Sequence, residues 1–253
     1  MMTSSTTFVL VPGAWHPASA LDLVAIPLKA AGYTVRSVDL PSCGAAPPLD
    51  DFGPDVQKLS QIIAEEVDRG QDVVVFMHSY GGVVGTESCR GLGKKDRDAA
   101  GEKGGVTRLI YCCAFLLGEG VSLFDMLDNK PLPWFILSDN ETRIDPDTPE
   151  QIFYNDLSAD EAKKSVDTLS HHSYRCLFTK LTYPAYKDIP TTYLLCEKDN
   201  AIPLAAQEKM VKNARALGVQ IDTVTFDASH SPFLSMPNNV VAACKRAASV
   251  TSW

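Results

Sequence analysis

Short apolar runs alternate with amphipathic stretches along this chain, and that alternation predicts its architecture. Residues 8–11, 73–76, 106–113 and 191–196 are nearly continuous in apolar side chains, the pattern of strands buried on both faces of a parallel sheet. Residues 34–40 and 219–226 complete a set of six predicted strands. Residues 18–31, 56–67, 82–89, 204–217 and 238–248 read as helices. In the second of these, Val56, Leu59, Ile62, Ile63 and Val67 fall close to helical spacing. Gly32 and Pro41 punctuate the ends of elements. Residues 91–105, rich in glycine and charge, read as a solvated loop with room for a helical turn. Strands alternating with helices predict an α/β fold: a doubly wound, mainly parallel six-stranded sheet with helices on both faces.

The alternation breaks between residues 114 and 188. This stretch holds Pro131, Pro133, Pro146, Pro149 and Pro184, and ten of the chain's 21 aromatic residues. A structureless loop of that length does not belong inside a compact domain. A helical cap inserted after the fourth strand, over the sheet's C-terminal edge, accounts for both length and composition. It would wall an apolar pocket where open α/β sheets bind their ligands. The chain therefore divides into a core, residues 1–113 and 189–253, and a cap, residues 114–188. Trp134, Phe135, Tyr154 and Tyr183 are candidates for the pocket wall, and each serves equally well as cap core.

Composition narrows the function classes. A chain of 253 residues with 45% hydrophobic content can bury a full core. Its formal net charge of -8 argues against nucleic acid or an anionic membrane as partner, since both require a basic face. No apolar run approaches the roughly 20 residues of a membrane span. The start, Met1 to Thr7, lacks a basic region, so cytosolic residence is expected. Seven cysteines, without a C-x-x-C or histidine-spaced pair, predict neither a disulfide framework nor a metal site. Cys112, Cys113 and Cys196, in predicted strands, read as small hydrophobes.

The chemistry-bearing segment is Met77-His78-Ser79-Tyr80-Gly81-Gly82, between the third strand and the helix beyond it. A hydroxyl at such a turn suits a nucleophile elbow, with a helix N-terminus behind it. The bland alternative is a strand-to-helix turn with a capping serine. Met77 stands where an elbow ordinarily has its first glycine, in a place where space is short. Serine needs a base within hydrogen-bond reach. Of His16, His78, His171, His172 and His230, the last lies just past the final strand, on the edge where the elbow opens. His78 should point away from Ser79 and support the turn. A third group must hold the imidazole tautomer. Asp199, after the fifth strand, is the preferred candidate over Glu197 and Glu119, and Asp227 is too near His230 in sequence. Oxyanion donors are expected from the backbone N–H groups of Tyr80 and of Ala14, in the loop Pro12-Gly13-Ala14-Trp15-His16. Gly13 there permits close backbone approach, although a tight turn explains it equally well. Trp15 and His16 are candidate substrate contacts. No cofactor is expected.

Taken together, these segments resemble the α/β-hydrolase superfamily. The closer likeness is to the group of plant methyl esterases, hydroxynitrile lyases and related fungal hydrolases. The resemblance is carried by Phe8-Val9-Leu10-Val11-Pro12-Gly13-Ala14-Trp15-His16, by the elbow, by Glu197-Lys198-Asp199-Asn200-Ala201-Ile202-Pro203 and by His230-Ser231-Pro232-Phe233-Leu234-Ser235. The order Ser79, Asp199, His230 is that of the superfamily. Pro12 replaces a usual histidine. Ser231 stands where the lyases carry a lysine, which favours hydrolysis. The resemblance implies a cofactor-free serine hydrolase for a small-to-medium apolar ester or lactone, working through an acyl-enzyme on Ser79. Two alternatives stay open: a non-hydrolytic enzyme, breaking a C–C bond or tailoring a polyketide with His230 as base, and a binding protein for a small ligand.

Overall fold

The computed structural model describes residues 6–249. Most of the polar start, read above as free of a targeting signal, lies outside the described residues, as do residues 250–253. In chain order the core begins with β1 (Thr6–Val11), α1 (Asp22–Ala30), β2 (Thr34–Ser37), α2 (Gly53–Asp68), β3 (Asp72–His78), α3 (Gly81–Ser88), α4 (Lys94–Ala99) and β4 (Gly105–Cys112). The cap follows with α5 (Leu123–Met126), β5 (Phe135–Leu137), β6 (Arg143–Pro146), α6 (Pro149–Phe153), α7 (Ala159–Val166) and β7 (His172–Ser173). The chain returns to the core with β8 (Thr191–Cys196), α8 (Leu204–Ala216), β9 (Ile221–Phe226), α9 (Pro232–Ser235) and α10 (Pro237–Ser249).

Six strands pair in parallel in the order β2-β1-β3-β4-β8-β9. Successive apolar residues go to opposite faces. Val9, Val75, Leu109 and Tyr193 pack on α2 and α8, and Phe8, Val74, Ile110 and Leu194 on α1 and α10. Both faces are covered, which is why the central strands β1, β3, β4 and β8 are mostly apolar, while the edge strands β2 and β9 carry several polar residues. Strand order reverses between β1 and β3, so the loops leaving their C-terminal ends part there and open a crevice. Among the described residues no helix is long and apolar enough to cross a membrane.

Two local readings change. The charged stretch after α3 contains α4 rather than a solvated loop alone. It is drawn inward by Arg97, a buried guanidinium 2.9 Å from both Asp68 and Glu102 and 3.2 Å from the Gly104 carbonyl. The cap is mixed rather than helical, with β5, β6 and β7 forming an antiparallel three-stranded sheet. Its first hairpin arises from an apolar run, Phe135-Ile136-Leu137, that turns back at Ser138. The Ser138 hydroxyl accepts from the amides of Thr142 at 3.2 Å and Arg143 at 3.1 Å, and Glu141 adopts φ +51°.

The structure also accounts for Met77. Its side chain is fully buried and lies across α3 at Gly85, where an added Cβ would come within 2.6 Å of Met77 Cγ and closer still to the sulfur. The small residue that makes room for Met77 is thus Gly85, eight residues on and inside α3, and the elbow keeps its tight approach. Replacing Gly85→Ala should therefore lower the unfolding free energy by about 1–3 kcal/mol through overpacking. The double variant with Met77→Ala should lose less than the two single losses combined. Urea melts of the four proteins measure that coupling, and strict additivity would mean the methionine has room to move.

Candidate active site

Ser79 follows directly on β3, with φ +52°. A side chain other than glycine in the left-handed region marks a backbone that its surroundings must hold. They do: the Ser79 carbonyl accepts from Gly82 at 3.0 Å and Phe115 at 3.1 Å, and its amide donates to the Cys112 carbonyl at 3.4 Å. Gly13, in the loop after β1, passes so close that a Cβ there would lie 2.8 Å from Ser79 Cβ.

His230 sits in the loop between β9 and α9, almost fully buried. Its Nδ1 is 2.8 Å from Asp199 Oδ2. Asp199, in the loop after β8, has its other oxygen on the amides of Ala201 and Ile202, both at 2.8 Å. Gln207 of α8 donates its Nε2 to Asp199 Oδ2 at 3.2 Å and accepts from the Cys196 amide at 3.0 Å. The other acids weighed from sequence lie elsewhere. Glu197 is exposed, Glu119 faces Lys187 at 3.9 Å, and Asp227 pairs with Lys198 at 2.8 Å.

His78 supports the turn through a specific contact: its Nε2 donates to the carbonyl oxygen of His230 at 2.8 Å. The Cys113 thiol reaches the same oxygen at 3.3 Å. Among the described residues His78, Cys113 and His230 are the one group with ligand-type atoms close enough together for a metal. His78 Nε2 and the Cys113 thiol already serve the His230 carbonyl, and His230 Nδ1 serves Asp199.

In the loop after β1, Trp15 takes φ +67°. His16 is buried, with Nδ1 on the Ala14 carbonyl at 2.7 Å and Nε2 on the Tyr154 hydroxyl at 2.9 Å. Among the described residues the backbone N–H groups of Ala14 and Tyr80 have no acceptor. The Tyr80 side chain is anchored separately, its hydroxyl donating to buried Asp55 at 2.8 Å.

Ser79, His230, Ala14 and Tyr80 share the wall of one narrow cavity of about 30 Å³, far below the roughly 300 Å³ of an open ligand pocket. Trp15, Trp134 and Phe135 line it as well, together with Phe153 and leucines of the cap. No charged side chain contributes to the wall. His16 and Tyr154 are not on it, because each satisfies the other's polar atom behind Trp15. Tyr183 also lies off the wall: its hydroxyl meets Asp188 at 3.0 Å and its ring lies under Arg90 at 4.9 Å. Gln207 and Phe153 were not singled out in the sequence, where a helix glutamine and one more cap aromatic carry no distinguishing signal.

A model of the alpha/beta hydrolase family matches residues 8–243. The chain is 31% identical over 243 residues to alpha/beta hydrolase nvfD of Aspergillus novofumigatus (strain IBT 16806), spanning 95% of each. Its structure is similar to a pyrethroid hydrolase from Sphingobium faniae JZ-2, with a TM-score of 0.75, 22% identity and coverage of 98% and 99%. It is also similar to the methylesterase MES16 from Arabidopsis, with a TM-score of 0.72, 24% identity and coverage of 96% and 99%.

Three buried histidines carry a pH consequence. Burial holds His16 down to about 4, His172 down to about 3 and His78 well below its ordinary value. Unfolded, each would take a proton near pH 6.5. Between pH 6.5 and about 4 the unfolded chain thus binds more protons, so stability must fall as pH falls. The slope should approach about 4 kcal/mol per pH unit near pH 5.5, at about 1.4 for each histidine. Asp55, whose carboxyl burial raises, acts in the opposite sense for one group. Urea melts across this range measure the slope, and a flat profile would show that these imidazoles protonate within the fold.

Proposed function

The chain belongs to the alpha/beta hydrolase family, and we propose that it is a serine esterase cleaving a small-to-medium apolar carboxylic ester or lactone. The observation that carries this reading is the buried His230–Asp199 pair at 2.8 Å. The His230 ring shares a cavity wall with a serine held at φ +52°.

The roles follow from the chemistry of each group. Asp199 takes the Nδ1 proton of His230 in a hydrogen bond, which leaves Nε2 as the basic face of the ring. That face accepts the Ser79 proton as Oγ attacks the ester carbonyl, then returns a proton to the leaving alkoxide. The amides of Ala14 and Tyr80 stabilise the oxyanion, acting as donors with no competing protein acceptor. Water then releases the acid by the same route in reverse order of proton transfer. A wall without charge favours an apolar acyl group, since a carboxylate or ammonium there would lose its hydration without compensation. The hydrolase name of the Aspergillus relative and the methylesterase name of the Arabidopsis neighbour agree with this chemistry. Seven unpaired cysteines fit a reducing compartment such as the cytosol.

Ser79→Ala should reduce kcat on an aryl ester by roughly 10⁴-fold. The wild-type chain should release a burst near one equivalent and take up a fluorophosphonate on Ser79. Undiminished turnover by Ser79→Ala would exclude the acyl-enzyme route. Tight ligand binding without product over hours would instead mark a binding protein.

A further inference from the structure

One stretch of the cap, residues 144–156, hydrogen-bonds to three of the four segments that carry the candidate site, all but the Ser79 elbow. On the loop after β1, Trp15 Nε1 donates to the Ile144 carbonyl at 2.9 Å, and Tyr154 meets His16 as described. On the Asp199 loop, Asn155 Nδ2 donates to the Lys198 carbonyl at 3.0 Å and Asn200 Nδ2 to the Gln151 carbonyl at 2.7 Å. On the His230 loop, Asp156 Oδ2 accepts from the Ser229 amide at 2.8 Å, and the Ser229 hydroxyl donates to the Phe153 carbonyl at 3.1 Å. The Phe153 ring lies within 5.7 Å of the rings of Trp15, His16 and His230.

We infer that this cap segment is a brace that sets the oxyanion loop and the base relative to each other, with Tyr154 and Asp156 as positioning residues. The inference rests on the serine-hydrolase reading above. Tyr154 acts through a defined relay. Its hydroxyl donates to His16 Nε2, which fixes the His16 proton on Nδ1, and that proton is donated to the Ala14 carbonyl. The peptide following the Ala14 amide is thereby held, beside a tryptophan whose left-handed backbone would relax if released. Burial keeps His16 neutral down to about pH 4 and raises the Tyr154 phenol, so both stay in the forms the relay requires across the working range. Asp156 acts one residue from the base. Its acceptor holds Ser229, and its second oxygen is buried without a partner among the described residues. Its one hydrogen bond among the described residues thus leads toward His230, while its charge also acts on Lys198.

A merely structural contact would change stability or substrate binding. A brace changes transition-state geometry, where a displacement of about 1 Å costs on the order of 10²-fold. The test uses the full chain and an aryl ester. Tyr154→Phe should lower kcat by about 10- to 100-fold with KM within about two-fold, and should weaken inhibition by an arylboronic acid by the same factor. Asp156→Ala should behave likewise, whereas Asp156→Asn, which keeps an acceptor for Ser229, should retain most of the wild-type kcat. Melting temperatures accompany each variant. If Tyr154→Phe melts far below the wild type, the comparison of Asp156→Ala with Asp156→Asn decides. Unchanged kcat, a rise in KM alone, or equal losses in Asp156→Asn and Asp156→Ala would overturn the brace. A wild-type chain that neither turns over esters nor takes the fluorophosphonate would overturn the serine-hydrolase reading instead.

Discussion

The hydrogen bond between Asp199 and His230 is the contact on which the rest of the site depends. A carboxylate this deeply buried is tolerated only when its lone pairs are occupied. Asp199 meets that demand with the amides of Ala201 and Ile202 on one oxygen and with Gln207 and His230 on the other. Because an ionised carboxylate can only accept, the His230 proton is fixed on Nδ1 and the opposite nitrogen is left basic. The imidazole is also held through its own backbone, by His78 Nε2 on its carbonyl oxygen. Ring and main chain are thus gripped from two elements, β8 with α8 on one side and β3 on the other.

Much of this was legible along the chain, for identifiable reasons. Strands buried on both faces leave long apolar runs, so five of the six were found within a residue or two of their observed ends, while the stretch after Ser37 reads as strand but leaves the sheet. Loops at the C-terminal ends of parallel strands share one edge, which let Ser79, Asp199 and His230 be grouped from order alone. What was not legible depends on side-chain direction. Tyr183, His16 and Tyr154 look as suitable for a pocket wall as Trp134 and Phe135. Only the fold shows that the first lies under Arg90 and that the other two pair with each other. Gln207 has the same invisibility, since a glutamine within a helix reads as a solvated position until its neighbours are known. Met77 and Gly85 are a further case. Met77 alone looks like a departure, and with Gly85, eight residues on, it is one packing solution between β3 and α3.

The narrowness of the cavity ties the cap to chemistry as well as to access. The cavity holds about 30 Å³, and its wall residues Trp134, Phe135 and Phe153 all belong to the cap. The same cap segment contacts Trp15 and Ser229, on the flanks of the oxyanion loop and the base. Under the proposed chemistry, any movement of this segment that admitted substrate would also release its hold on Trp15 and Ser229, so access and site geometry would be coupled.

Electrostatics close the account. In the proposed mechanism acyl transfer would place a positive charge on His230 for part of each turnover, in surroundings where other imidazoles lie near: His78 at 4.6 Å between ring centres, and His16 a further 5.5 Å beyond His78. Were either of them charged, it would repel the imidazolium and raise the barrier. Burial holds both neutral, and each spends its protonated nitrogen on a carbonyl rather than on another charge. The positive charge at His230 thus meets the Asp199 carboxylate without a competing cation among its ring neighbours. Two of the three buried histidines expected to make the fold sensitive to acid, His16 and His78, are thus also the ones whose neutrality would leave room for charge at His230.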